Sequence, residues 1–82
     1  MSKFKKAVER LKSFPTDFTW AELQLILRKL GYEEKKVSGS GRKFIHKARK
    51  HVISLHEPHP KPIMKEYALK IVIDGLKENG LL

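Results

Sequence analysis

The feature that most constrains the fold is a change in the spacing of apolar residues along the chain. Residues 1–14 and 19–30 place apolar side chains at intervals of three and four, which is typical of amphipathic helices. Residues 35–56 instead form short β-branched or aromatic runs separated by turn residues, which predicts strands. Three prolines within 58–62 remove three backbone donors, and helical spacing then returns over residues 63–79. The order predicted is helix, helix, three strands, helix.

The predicted helices carry recognisable end signals. Ser2 is the predicted N-cap of the first helix, and Pro15 ends that helix because it disfavours helical geometry at Phe14. Thr19 and Glu22 have the spacing of a capping box. The predicted inner faces are Phe4, Ala7, Val8, Leu11 and Phe14 in the first helix, Leu23, Ile26, Leu27 and Leu30 in the second, and Met64, Tyr67, Ala68, Ile71, Val72 and Leu76 in the last. Gly31 and Gly80 are the predicted C-terminal caps of the last two helices.

The middle of the chain predicts a three-stranded antiparallel meander. The strands are expected at 35–38, 42–47 and 51–56, with a Gly-Ser-Gly turn at 39–41 and a loop at 48–50. Helices packed on one face of such a sheet make a small α+β two-layer sandwich of order α-α-β-β-β-α.

Length and charge narrow the classes of function. A chain of 82 residues allows one small core and leaves little room for an enclosed cofactor pocket. The 18 Lys and Arg against 9 Asp and Glu give a net charge of +9, which favours a polyanionic partner such as nucleic acid. The absence of cysteine excludes disulfides, Cys-based zinc sites and a Cys nucleophile. No long apolar stretch or leader is evident, so a cytoplasmic protein without a membrane partner is expected.

Seven basic residues fall within residues 35–56, a window that contains no acid. A basic sheet face can neutralise phosphates and release counterions, which predicts a nucleic-acid surface. An ordinary solvated face is the alternative, and a membrane-binding face is weaker because the bases alternate on strands. The aromatic residues fit core positions, which favours backbone and 2′-hydroxyl contacts over base stacking. The seven are Lys35, Lys36, Arg42, Lys43, Lys47, Arg49 and Lys50.

Four histidines lie between positions 46 and 59, and two of them, His56 and His59, flank Pro58 where the third strand leaves the sheet. A histidine beside a basic strand can take the proton of a ribose 2′-hydroxyl or protonate a leaving 5′-oxygen. Two other interpretations stay open. The histidines could be polar residues that close a loop, or a zinc site could form on His56, Glu57 and His59, although the prolines restrict its geometry and no further ligand is evident.

Several segments, in this order, resemble the HicA (YcfA-like) toxins of bacterial toxin–antitoxin systems. They are FTWAEL at 18–23, LGY at 30–32, GSGRKF at 39–44, VISLHEPHP at 52–60 and LKENGL at 76–81. The resemblance covers residues 17–82 and leaves 1–16 as an N-terminal helical extension. It implies a double-stranded-RNA-binding-like fold. It also implies a metal-independent mRNA interferase, an endoribonuclease without a cofactor that a HicB-type antitoxin neutralises.

One position departs from the pattern of that family. Many members read Gly-Ser-His in the turn before the second strand, where the histidine is catalytic, and this chain has Gly41 there. His56 and His59 match a His-Pro-His stretch of members that also lack the turn histidine, so these two are the predicted catalytic residues. The residues predicted to bind RNA are Ser40, Arg42, Lys43, Lys47, Arg49 and Lys50.

Two questions stay open at this point. The missing turn histidine is also consistent with a catalytically weak or inactive module that binds RNA or the antitoxin. The apolar stripe of the first helix requires burial, either within the domain or in a homodimer interface.

Overall fold

The computed structural model describes residues 3–82, so the predicted N-cap Ser2 lies outside the described residues. The elements follow the predicted order, and the three strands form an antiparallel sheet of order β1-β2-β3. The predicted α+β class is therefore confirmed. The elements are α1 (Lys3–Lys12), α2 (Trp20–Lys29), β1 (Glu33–Ser38), β2 (Gly41–His46), β3 (His51–His56) and α3 (Glu66–Glu78).

The sheet buries one face and exposes the other. Phe44 and His46 on β2, and Ile53 and Leu55 on β3, are buried on the side of the helices. Because successive side chains of a strand point to opposite faces, the residues between them lie on an open face. Lys43, Val52, Ser54 and His56 are exposed there, and every residue of β1 is exposed. The open face is therefore available to a partner.

The first helix belongs to the same core. It packs against α2 and α3, and its residues Ala7 and Leu11 are buried. Arg10 donates to the Glu22 carboxylate at 2.8 Å and to Asp17 at 3.0 Å, which ties α1 to the start of α2. Burial raises the pKa of Glu22, but hydrogen bonds from Arg10 and Thr19 outweigh it and leave that pKa below its ordinary value. Burial of this stripe needs no homodimer.

The helix ends follow the local signals. Thr19 and Glu22 form the complete capping box predicted for α2. Gly31 follows that helix with a φ of 104°. Gly80 has a φ of 71° after α3, and the Leu81 amide donates to the Leu76 carbonyl at 2.8 Å. These caps were predictable because each depends on a few neighbouring residues.

The last helix begins later than the spacing predicted. It starts at Glu66 rather than near residue 63. The reason is tertiary, because the Trp20 amide donates to the Pro62 carbonyl at 2.9 Å and the Met64 amide donates to the Phe18 carbonyl at 2.7 Å. Residues 62–64 are consequently extended beside residues 18–20 and cannot join α3.

Three apolar residues predicted on inner faces lie at the surface instead. Phe14 follows α1 with a φ of 52° and is 37% exposed, since Pro15 disfavours helical geometry at this position. Tyr67 is 65% exposed and Ile71 is 49% exposed, because the buried stripe of α3 is rotated away from both. That stripe consists of Ala68, Leu69, Val72, Ile73 and Leu76.

Candidate functional site

The turn between β1 and β2 is braced by Arg42. Its guanidinium donates to the carbonyls of Gly39 and Gly41, both at 3.0 Å. The same group donates to the Glu57 carboxylate at 3.1 Å, just beyond the end of β3. The Arg42 side chain is only 16% exposed. Arg42 therefore joins the turn to the chain that leaves β3. Because these bonds occupy much of its guanidinium, few of its N–H groups remain to bind a phosphate.

His56 ends β3 directly beside this turn. It is the ladder partner of Gly41, and its Nδ1 lies 3.2 Å from the Ser40 hydroxyl oxygen. The Glu57 amide donates to the Ser40 carbonyl at 2.8 Å, which fixes Ser40 against the same strand end. When Nδ1–H donates to Ser40, the Nε2 lone pair of the exposed ring is free to accept a proton.

An open cleft of about 820 Å³ lies beside His56. Its walls come from residues 14–16, from the proline-rich loop and from the start of α3. His56, His59 and Ser40 all line it, so both predicted catalytic histidines border one cavity. The exposed rings of Phe14 and Tyr67 line it as well. The cleft thus combines two imidazoles with two accessible aromatic side chains.

The predicted RNA-binding residues do not form one cluster. The groups are Ser40 and Arg42 beside His56, Lys43 on the open face of β2, and Lys47, Arg49 and Lys50 around the turn at the other end of the β2–β3 hairpin. That far turn lies about 17 Å from His56, given the rise of a strand over five residues. An RNA that contacts all three places has to run along the hairpin.

The sheet is less uniformly basic than the sequence predicted, because β1 starts at Glu33 rather than at residue 35. Glu33 lies 3.8 Å from the Lys47 ammonium, and a Glu34 oxygen lies 3.7 Å from the Arg42 Nε. Lys35 and Lys43 are ladder partners on the open face and take part in no ion pair within residues 3–82. The open face therefore keeps available cations at its centre.

The other two histidines are held inside the fold. His46 Nδ1 accepts from the Arg49 amide at 3.1 Å, so the ring proton is assigned to Nε2, which donates to the Leu30 carbonyl at 2.9 Å. The Tyr32 hydroxyl lies 2.7 Å from His51 Nδ1. Burial raises the pKa of Tyr32, and the nearby Arg49 charge opposes that rise.

Two glycines permit the close packing around His46 and His51. A Cβ on Gly31 would lie 2.9 Å from His46 Nε2, and a Cβ on Gly75 would lie 2.8 Å from His51 Cε1. Both distances are shorter than ordinary contacts of a side chain, so His46 and His51 have structural roles.

Sequence reasoning missed the aromatic lining and the cations of the cleft. Spacing predicts Tyr67 on the inner face of the last helix with Ala68 and Ile71, but the buried stripe includes Leu69 and Ile73 and so turns Tyr67 outward. Lys61 and Lys65 also line the cleft, outside the basic window used to predict RNA binding.

Two further features concern ligands and membranes. Within residues 3–82, no three His, Asp or Glu side chains come together in a way that could hold a metal ion. In the same range, none of the helices has the length and apolar character needed to cross a bilayer.

Comparison with known proteins identifies a family. A family model described as the HicA toxin of bacterial toxin–antitoxin systems matches residues 20–81, which is more than half of the chain. The matched range contains the β1–β2 turn, both histidines of the cleft and Tyr67. No curated protein and no solved structure matched the chain.

Proposed function

The chain belongs to the HicA toxin family, and from that premise we propose that it is a cytoplasmic, metal-independent endoribonuclease that cleaves mRNA and is neutralised by a HicB-type antitoxin. The ladder pairing of His56 with Gly41 carries the proposal. In many members of the resembled family the catalytic histidine occupies the place of Gly41. Opposed residues of an antiparallel ladder have Cβ atoms about 4.5–5.5 Å apart. His56 can therefore bring its imidazole to nearly the same space.

The proposed chemistry needs one base and one acid. His56 Nε2 takes the proton of a ribose 2′-hydroxyl, and the 2′-oxygen attacks the adjacent phosphorus. The bond from phosphorus to the 5′-oxygen breaks, and His59, which lines the same cleft, gives that oxygen a proton. The products are a 2′,3′-cyclic phosphate and a 5′-hydroxyl, so protons and bonds balance without a redox partner.

The proposed RNA path follows the open face of the sheet. Lys43 is exposed at its centre, and the far turn adds Lys47, Arg49 and Lys50. Arg42 contributes by bracing the turn, and Ser40 contributes by holding the His56 ring. Binding through several phosphates is expected to weaken steeply as salt concentration rises.

The test is a gel assay of a structured mRNA in EDTA. Wild type should cleave, and His56→Ala should lose about 10²- to 10⁴-fold in rate, with His59→Ala also impaired. The products should carry 2′,3′-cyclic phosphate ends. Ser13→Ala is the control, because Ser13 is an exposed polar residue after α1 that lies outside the sheet and does not line the cleft. Unchanged cleavage by the double variant lacking both histidines would refute the assignment.

The second candidate is a module that binds RNA or the antitoxin without catalysis, and the observation that favours it is Gly41 itself. Gly41→His tests it, because the φ of Gly41 does not fall in the left-handed region. A Cβ at this position would lie 3.1 Å from the Ser38 carbonyl oxygen, so the turn backbone has to move by a few tenths of an ångström, and circular dichroism must first show that the variant is folded. This candidate would be established if wild type binds RNA without cleaving it and the Gly41→His variant cleaves it. Cleavage by wild type would reject it.

A further inference from the structure

We infer that the cleft beside His56 binds an unpaired nucleobase, which stacks on Tyr67 next to the cleaved phosphodiester. This inference deepens the proposed function and rests on it for the identity of the ligand as RNA. The sequence favours RNA contact through backbone and 2′-hydroxyl groups over base stacking, since the aromatic residues fit core positions. The structure places Tyr67 and Phe14 at the surface, on the walls of one cleft.

Tyr67 is free to serve a ligand because the core does not need it. Five other residues fill the buried stripe of α3, and Tyr67 remains 65% exposed. A lone exposed aromatic would need no explanation. Here Phe14 approaches the same cleft from a different part of the chain and is 37% exposed. Ile71, one turn further along α3 and 49% exposed, does not line the cleft.

The polar rim of the cleft favours a nucleotide over a protein side chain. Lys61 and Lys65 line it and take part in no ion pair within residues 3–82. Of the two acids in the lining, Glu57 is paired with Arg42, which leaves Glu66. An apolar side chain would cover the rings and leave the lysines unmatched. A nucleotide satisfies both, because its base has a face that stacks and its phosphate carries negative charge.

The geometry restricts the substrate to RNA that is single-stranded at this nucleotide. A base inside a duplex is stacked on its neighbours and cannot lie against a protein ring. Stacking is tolerant of base identity, so the cleft selects for an unpaired base more strongly than for a particular one.

The experiment uses three variants and an RNA that cannot be cleaved. The probe is a single-stranded oligonucleotide with 2′-O-methyl groups throughout and one 2-aminopurine, whose fluorescence falls when it stacks. Wild type and Tyr67→Phe should quench the probe and bind it equally well. Tyr67→Ala should lose the quenching and bind about five- to tenfold more weakly. Ile71→Ala, the matched control, should behave as wild type.

The outcomes separate this inference from the proposed ribonuclease. Quenching that depends on the Tyr67 ring supports the inference even if unmodified RNA is never cleaved. Normal cleavage by Tyr67→Ala, together with unchanged quenching and affinity, overturns the inference and leaves the ribonuclease intact. Ile71→Ala that loses as much quenching and affinity as Tyr67→Ala also overturns it. So does Tyr67→Ala that binds and quenches the RNA probe normally but no longer binds the antitoxin protein.

Discussion

The two ends of the β2–β3 hairpin carry histidines in opposite environments. At the closed end, where the 47–50 turn joins the strands, His46 and His51 are ladder partners. Backbone groups of Leu30 and Arg49 bond the His46 ring, and the hydroxyl of the buried Tyr32 bonds the His51 ring. At the open end, where Gly41 pairs with His56, the exposed ring of His56 lies 3.2 Å from the Ser40 hydroxyl and has no other side-chain hydrogen bond within residues 3–82. His51 and His56 are five residues apart on one strand, an odd number, so they point to opposite faces. Strand parity therefore decides which histidine supports the fold and which is available for chemistry.

The largest effect is expected from breaking the closed end with Gly31→Ala. The φ of 104° is unfavourable for alanine, and the new Cβ would lie 2.9 Å from His46 Nε2 and displace its hydrogen bond to Leu30. We expect the free energy of unfolding to fall by about 3 kcal/mol, from backbone strain and one lost buried hydrogen bond. The melting temperature should fall by more than about 10 °C.

Gly39→Ala is the control for that variant. Gly39 also has a positive φ, of 49°, but a Cβ there meets nothing within 4 Å. It should cost only about 1 kcal/mol in urea denaturation, from backbone strain alone. Equal stabilities of the two variants would contradict the structural role of His46.

A smaller effect is expected from Tyr32→Phe, which removes the hydroxyl that bonds His51. The loss should be about 1 kcal/mol near neutral pH, measured as a shift of the urea midpoint. Tyr67→Phe, at the exposed tyrosine, should not move the midpoint.

Tyr32→Phe and Tyr67→Phe should also differ in how the free energy of unfolding depends on pH. Because burial raises the folded-state pKa of Tyr32, its contribution to stability is complete below the ordinary pKa of 10.0 and is lost as pH rises through the folded value. Tyr32→Phe should lack this alkaline component, while Tyr67→Phe should retain it. If Tyr32→Phe and wild type lose the same free energy of unfolding at alkaline pH, the loss does not come from Tyr32.

The smallest effect is expected at the open end, from Ser40→Ala. Loss of one hydrogen bond to an exposed ring should slow cleavage about three- to tenfold and leave the melting temperature unchanged. Ser13→Ala, at an exposed serine outside the sheet and the cleft, should cleave at the wild-type rate, and a loss of the same size there would remove the positioning role of Ser40.

Much of the fold was predictable because its signals are local. The capping box, the glycine caps and the three strands each depend on neighbouring residues, and all are confirmed. The start of α3 was not predictable in this way, because it depends on residues 62–64 pairing with residues 18–20. The rotation of its buried stripe was not predictable from spacing, because apolar residues lie on both sides of Ala68 and Val72, and Leu69 and Ile73 are buried in place of the predicted Tyr67 and Ile71.

The candidate site was also predictable only in part: its residues could be named from the sequence, but their arrangement could not. His56 and His59 were named from a resemblance, and their catalytic roles stay predictions. Their arrangement around one cleft is a tertiary fact that the sequence could not supply, as is the pairing of His56 with Gly41. Arg42 shows the limit of counting charges, because most of its hydrogen-bonding capacity serves the turn.

We propose that the imidazole of His56 transfers a proton to or from RNA and that the imidazole of His51 does not. The most direct measurement is the single-turnover cleavage rate in EDTA of wild type, His56→Ala and His51→Ala, each divided by the folded fraction from circular dichroism. We expect His56→Ala to melt like wild type and to lose about 10²- to 10⁴-fold in rate. His51→Ala should melt at a lower temperature and keep its rate per folded molecule. A His56→Ala variant that cleaves at the wild-type rate would contradict the account.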